Sequence, residues 1–282
     1  MRICVTGSNG QVGTEVVELA TTSGHEVFAL GSADVADPAI MGEAIGAARP
    51  DAVIHCAAFT DVDGCEGDPD RAQRVNADGV RVVTDAAERV GPGTRVVAVS
   101  TDYVFDGTKV GPYVESDPTN PLGVYGRTKL AGEEVLDRSR HAVARTSWVC
   151  GRVGRNVART VLRLADEGTA MRFVDDQRGH PTIARDLAGA LIRLAEDRAT
   201  GIWHVTNRGA VSWFEFACEV VRAGGGDPAI VSPIPTSELD PPRPARRPAN
   251  SVLESERYAP EQLLPDFRDS LPDLILALRA GS

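Results

Sequence analysis

Short runs of apolar, β-branched residues recur along the chain at 2–6, 26–30, 52–56, 95–100, 142–145, 172–174 and 202–206, and each predicts a strand. Helix-length segments separate them. Residues 11–22 follow a glycine-rich turn, 69–90 form a long helical pattern, and 122–138 begin just after the extended pair Asn120–Pro121. This alternation is the rhythm of βαβ units, so the expected fold class is α/β, a doubly wound parallel sheet covered by helices. Beyond Trp148 the pattern loosens, and residues 233–248 (PIPTSELDPPRPARRP) hold too much proline for a helix or an inner strand. They predict a surface loop or lid edge. The expected organisation is a sheet domain over 1–146, to which 170–174 and 183–206 return, and a smaller C-terminal lobe from 147–169, 175–182 and 207–282.

Composition narrows the partners. The chain has 282 residues, 42% hydrophobic and 25% charged, enough to bury a core in each part without a covalent staple. It holds no unbroken apolar run of the roughly 20 residues a membrane span needs, and its first residues, MRICVTGSNG, enter a strand at once. Cytoplasmic residence is the expectation. The five cysteines are odd in number and lack any C-x-x-C pair, so neither a disulfide framework nor a zinc site is expected. A net charge of −10 argues against nucleic acid as a partner, because binding a phosphate backbone needs a basic face.

The first strand runs into Gly7-Ser8-Asn9-Gly10-Gln11-Val12-Gly13 and then a helix. Glycine permits the tight turn, lets backbone N–H groups approach a pyrophosphate, and lets the helix pack close while its N-terminus faces the anion. That is the dinucleotide-binding turn of a Rossmann-type domain. An acidic residue about 20 positions on takes the ribose hydroxyls of NAD in such folds, and Asp34 stands there. The second strand ends at Leu30-Gly31-Ser32 without a carboxylate to repel a 2′-phosphate, and no arginine close in sequence selects one. NADH and NADPH both stay open.

Tyr125 and Lys129 are four residues apart in VYGRTKLAGEE, so on a helix they share one face. An ammonium beside a phenol favours the ionised form and is expected to draw Tyr125 towards the range useful for proton transfer. The fourth strand ends at Ser100-Thr101-Asp102-Tyr103, and open α/β sheets bind ligands outside the carboxyl ends of their strands. Thr101 is therefore expected to hydrogen-bond a substrate carbonyl that Tyr125 protonates.

The ordered segments TGSNGQVG, STDYVFDG, YGRTKLAGE, RTSWVCG, DQRGHPT, SWFEFA and RRPANSVL resemble the dTDP-4-dehydrorhamnose reductase family of extended short-chain dehydrogenases, from Thr6 to about Leu253. The resemblance implies a Rossmann domain, a small substrate lobe, and NADPH- or NADH-dependent reduction of the 4-keto group of a dTDP-4-keto-6-deoxysugar. It makes Thr101, Tyr125 and Lys129 the catalytic set, with Lys129 also on the nicotinamide ribose. Gly7, Asn9, Gly10, Gln11, Val12, Gly13, Asp34, Val35, Ala57 and Ala58 become the cofactor-binding set. Thr101, Asp102, Tyr103, Trp148, Asn156 and Arg247 become the substrate-binding set, with the Trp148 face against the sugar and the Arg247 guanidinium suited to the diphosphate. Gln177, Gly179, Pro181 and Thr182 match a loop at the cofactor and substrate boundary.

Some positions depart from the family pattern. His55-Cys56 replaces the more usual Asn-Ala, and Cys150 replaces an aromatic after Trp148, which is expected to reshape the sugar pocket. Some members bridge a dimer through a metal; Glu15 matches one ligand, but Arg185 falls where another acid would stand, so no metal and a monomer or weak homodimer are expected. Asn76 is expected to steady a helix, and the scattered histidines to be structural. The alternatives are a 4-ketoreductase of a specialised deoxysugar pathway, such as one towards a dihydrostreptose-like sugar, and a regulatory subunit like the β subunit of methionine adenosyltransferase. A dehydratase or epimerase is disfavoured by Asp102-Tyr103-Val104, unless Asp102 points into the pocket.

Overall fold

The computed structural model describes residues 1–259 and 262–280; the other four, which belong to the expected C-terminal lobe, lie outside the described residues. The chain runs β1 (Arg2–Thr6), α1 (Gln11–Thr22), β2 (Glu26–Ala29), α2 (Pro38–Ala48), β3 (Ala52–His55), α3 (Val62–Gly67), α4 (Pro69–Gln73), a π-helical turn (Arg74–Asp78), α5 (Gly79–Val90) and β4 (Arg95–Thr101). It continues with α6 (Val124–Glu134), β5 (Ala142–Thr146), β6 (Val149–Cys150), α7 (Val157–Asp166), β7 (Met171–Val174), β8 (Arg178–Gly179), β9 (Thr182–Ile183) and α8 (Ala184–Glu196). The last elements are β10 (Gly201–His204), β11 (Val211–Ser212), α9 (Trp213–Ala223), β12 (Val231–Ile234) and α10 (Phe267–Ala280).

Six strands form one parallel sheet in the order β10-β5-β4-β3-β1-β2. Alternation along each strand divides its side chains between two faces. Ile3, Val5, Ile54 and Val97 meet Val16, Leu187 and Leu191 of α1 and α8 on one side. Cys4, Val53 and Val96 meet Met41, Ile45 and Val83 of α2 and α5 on the other. Each fully buried aliphatic side chain contributes on the order of 1.5–3 kcal/mol, so both faces hold the sheet. The strand order reverses between β1 and β3, which opens the crevice at their carboxyl ends where a ligand fits.

Local chemistry sets the helix limits. Asp37 caps α2 by accepting from Ala39 N–H at 2.8 Å and Ile40 N–H at 3.1 Å, with Pro38 at the first turn where no N–H is needed. Ser212 and Glu215 form a capping box on α9. The expected helix over 122–138 is confined to α6, after Pro121 and Gly123.

The C-terminal lobe has its own core, in which Leu162, Phe216, Val220, Phe267, Leu271 and Leu278 from α7, α9 and α10 interdigitate. One expectation needs correction here. Residues 171–174 do not return to the central sheet: β7 pairs in parallel with β12 in the smaller lobe, Met171 opposite Val231 and Val174 opposite Ile234. A short apolar strand carries no mark of its partner, and Met171 packs among the smaller lobe's side chains. In contrast, β10 does join the sheet beside β5, and α8 packs on α1. Pro233 sits in β12 of that two-stranded sheet, where a missing N–H is tolerated at an edge.

Candidate active site

The glycine turn is fixed by steric limits. Gly7 adopts φ +62°, and a Cβ there would lie 2.7 Å from the Ala57 backbone. A Cβ on Gly13 would lie 2.2 Å from Gly7 O, so the first turn of α1 folds tightly over β1. No side chain caps α1 at Gly10, which leaves its first N–H groups available to an anion. Ser8 Oγ accepts from Gly31 N–H at 2.7 Å and Asn9 Nδ2 donates to Ser32 Oγ at 3.2 Å, tying the turn to the chain after β2. This shape fits a dinucleotide pyrophosphate, with the residues after β2 at its adenosine end.

An arginine from farther along the chain stands beside Asp34: Arg74, from the π-helical turn, forms an ion pair with it. That guanidinium, with the Ala36 N–H, holds the Asp34 carboxyl below its ordinary range. Val35 is buried with Val80 and Ala98. Asn76 behaves as expected of a steadying residue: buried, it donates to Phe59 O at 3.1 Å and Thr128 Oγ1 at 3.2 Å and accepts from Phe59 N–H at 2.8 Å.

A cavity of about 620 Å³ starts at Gly7, Gly10 and Gly13, passes Thr101, Tyr125 and Lys129, and ends against aromatic residues. Gln11, Val12, Ala58, Asp102, Tyr103 and Trp148 also face it, whereas Asn9, Asp34, Val35, Ala57, Asn156 and Arg247 do not. A larger cavity of about 1080 Å³ lies between α1, α8 and the C-terminal segment and holds none of the expected catalytic side chains. At its edge Glu15 pairs with Arg152 at 3.0 Å and Arg185 at 3.2 Å. Cys150 faces this second cavity and the smaller lobe's core, so it does not reshape the sugar end as the sequence suggested.

Thr101 closes β4 and accepts from Tyr103 N–H at 3.2 Å while donating to Asp102 Oδ1 at 3.0 Å. The helix bearing Tyr125 presses onto this turn, since a Cβ on Gly126 would lie 2.1 Å from Tyr103 O. The Tyr103 and Tyr125 rings meet edge to face, 5.8 Å apart at 80°. Lys129 is buried and donates through Nζ to Val99 O at 2.7 Å. Burial lowers its ammonium to about 8, against the opposing pull of Glu133. Burial also raises the Tyr125 phenol, opposed by a hydrogen bond with the Thr101 hydroxyl oxygen and reinforced by the Asp102 charge. The expected acidification of Tyr125 by Lys129 is therefore not what the fold produces, because desolvation outweighs any ammonium effect.

Beneath this wall Glu133 and Arg145 form a buried pair, with Arg145 Nη2 to Glu133 Oε2 at 2.7 Å and Ser100 Oγ donating to Oε1 at 2.5 Å. It fixes α6 against β4 and β5. His55 Nδ1 lies 2.8 Å from Thr6 Oγ1 under the glycine turn, and burial depresses its imidazole to about 3, so it stays neutral.

At the far end Trp148 adopts φ +46° and stacks on Trp213, with centroids 3.6 Å apart and rings 8° from parallel. Gly179 leaves room for it: a Cβ there would lie 2.7 Å from Trp148 Cε2. Trp213 escaped the sequence reading, although it follows the α9 cap Ser212 in the SWFEFA segment. Asn156, expected on the substrate, is instead committed to structure. It caps α7 through Arg159 N–H at 2.9 Å and donates to Gln11 Oε1 at 3.0 Å and Gly151 O at 2.8 Å. Arg247 is likewise engaged, donating to Asp63 Oδ1 at 2.6 Å and Oδ2 at 2.8 Å, which pins the proline-rich segment to α3. Gln177 reaches the same region, donating to Thr236 Oγ1 at 2.9 Å.

Comparison with known proteins follows the same lines. Residues 1–280 match the family model described as RmlD substrate binding domain. A dTDP-4-dehydrorhamnose reductase of Burkholderia thailandensis is 43% identical, the match covering 95% of this chain and 96% of that one. A probable dTDP-4,6-dihydroxy-2-methyloxan-3-one 4-ketoreductase of Streptomyces antibioticus is 39% identical over 98% and 97% of the two chains. The crystal structure of a dTDP-4-dehydrorhamnose reductase of Bacillus anthracis in complex with NADP superposes with a TM-score of 0.90 at 31% identity, covering 98% of each chain. With its glycine turn, its hydroxyl, phenol and ammonium on one wall, and these full-length likenesses, the chain belongs to the dTDP-4-dehydrorhamnose reductase family, whose model is the RmlD substrate binding domain.

Proposed function

We propose that this chain uses NADPH or NADH to reduce the 4-keto group of a dTDP-4-keto-6-deoxyhexose, first of all dTDP-4-dehydro-L-rhamnose to dTDP-L-rhamnose. The observation that carries this reading is the single cavity with the glycine turn at one end and Thr101, Tyr125 and Lys129 on its wall. When bound, the nicotinamide cofactor supplies the hydride that the carbonyl carbon accepts. Gly7, Gly10, Gln11, Val12 and Gly13 would hold the dinucleotide.

Tyr125 gives its phenolic proton to the keto oxygen as charge develops there, and Thr101 donates a hydrogen bond to the same oxygen. A raised phenol suits this direction of reaction, because the proton stays on Tyr125 across neutral pH. Lys129 provides a buried positive charge for the phenolate left behind and for a ribose hydroxyl. The stacked Trp148 and Trp213 offer an apolar wall to the deoxysugar and its methyl group. Arg247 would meet the diphosphate by exchanging Asp63 for it.

The reading extends to a cytoplasmic enzyme acting as a monomer or weak homodimer. None of the described helices is long and apolar enough to cross a membrane, and the Arg152 and Arg185 guanidinium groups already pair with Glu15. The relative from Streptomyces antibioticus supports a second reading, 4-keto reduction of another dTDP-deoxysugar. The test follows NAD(P)H oxidation with enzymatically generated dTDP-4-keto-6-deoxyglucose, with and without a 3,5-epimerase. Oxidation only with the epimerase supports the rhamnose reading, oxidation without it favours the second, and no oxidation in either defeats both.

A further inference from the structure

Asp102 stands on the cavity wall, and the proton transfer above gives it no part. It is 2% exposed and lines the cavity beside Thr101 and Tyr125, yet its Oδ2 has no hydrogen-bond partner among the described residues. Its Oδ1 accepts the Thr101 hydroxyl at 3.0 Å. The cations nearby are spent elsewhere: Lys129 Nζ donates to Val99 O, and Arg247 sits on Asp63. The remaining groups that face Asp102 are neutral, namely Thr101 on β4, Ser251 in the segment before α10, Tyr103 in its own turn and Tyr125 on α6. An unpaired carboxylate in such a site is costly unless protonated.

The Thr101 hydroxyl has a single proton. In the bond described above that proton points at Asp102, so Thr101 presents lone pairs, not a donor, to anything else in the cavity. A keto oxygen needs the opposite. We infer that Asp102 is a positioning residue: as a neutral acid it donates to Thr101 Oγ1 and turns the Thr101 proton towards the keto oxygen, and as a carboxylate it takes that proton back. This rests on the ketoreductase role proposed above. Thr101 still accepts from Tyr103 N–H, and its second lone pair receives the Asp102 proton, so no bond is overfilled. The carboxyl group has the range for such a switch, since burial pushes it up to about 7 against the pull of Ser251 and Thr101. The same charge raises the Tyr125 phenol, so neutral Asp102 also leaves Tyr125 the better acid.

The sign follows directly. The acid form is productive, so turnover falls as pH rises through about 7, by about tenfold per pH unit, before the limb set by Lys129 near 8. Two measurements test it. Infrared titration of the protein without cofactor or substrate should show a buried carboxylic acid band lost with a midpoint near 7 and absent from Asp102→Asn. In turnover, Asp102→Asn places an N–H donor on Thr101 at every pH. It should work within about tenfold of the wild-type acid plateau and lack the limb near 7. Thr101→Val should keep only the shallower dependence that Asp102 exerts through the Tyr125 phenol. Persistence of that limb in Asp102→Asn, an undiminished limb in Thr101→Val, or no such band in the wild type, overturns the inference. A wild type that reduces no sugar at any pH defeats the ketoreductase role itself, which the infrared arm distinguishes because it needs no substrate.

Discussion

At the β1 end of the cavity the wall is backbone. Gly7 and Gly13 let segments of the main chain approach to distances no side chain permits, and the donors are the N–H groups at the start of α1. At the Trp148 end the wall is side chains drawn from segments far apart in sequence: Trp148 after β5, Val157 at the start of α7 and Trp213 at the start of α9. One end is thus specified by a local steric rule and the other by long-range packing. A dinucleotide, whose pyrophosphate is the same in every turnover, suits the first. A sugar, whose substituents distinguish one substrate from another, suits the second, because single side chains there can change without disturbing the turn.

Three substitutions set the two ends apart. Tyr125→Phe, at their junction, should lower kcat by on the order of 10²–10⁴-fold while dinucleotide affinity, followed by nicotinamide fluorescence, stays within about twofold. Comparable turnover would remove Tyr125 from the proton-donor role. Gly13→Val should weaken dinucleotide binding and lower the melting temperature, at a cost of about 3 kcal/mol, because its Cβ has only backbone to displace. Undiminished affinity would show that the turn does not hold the cofactor. The smallest effect belongs to the other end: Trp213→Ala should raise KM for the sugar nucleotide by about tenfold, roughly 1.4 kcal/mol, and leave dinucleotide affinity unchanged. A matching loss of dinucleotide affinity would mean that the two ends are not separable.

The same division explains what the amino-acid pattern reveals. The βαβ sheet, the glycine turn and the Tyr125–Lys129 pair are readable because each follows from spacing within a few residues. The pairing of β7 with β12, the meeting of Arg74 with Asp34 and the stacking of Trp213 on Trp148 join residues tens of positions apart, and nothing local marks them. Asn156 shows the limit from the other side. Its residue type suits a ligand contact equally well, and only the fold reveals that its amide is spent on the α7 cap and on Gln11. Desolvation is equally invisible in sequence, which is why the ammonium four positions from Tyr125 suggested a lowered phenol where burial raises it.

The stacked indoles have an optical consequence. Of the three tryptophans in the chain, two lie face to face at the sugar end, while Trp203 lies away from that cavity with the Arg257 guanidinium 4.2 Å above its ring. Indoles stacked at 3.6 Å share their excitation, so their near-ultraviolet absorption band is not that of two separate rings. A ligand that parts or tilts the pair would alter that band, so the protein carries a built-in label at this end of its cavity.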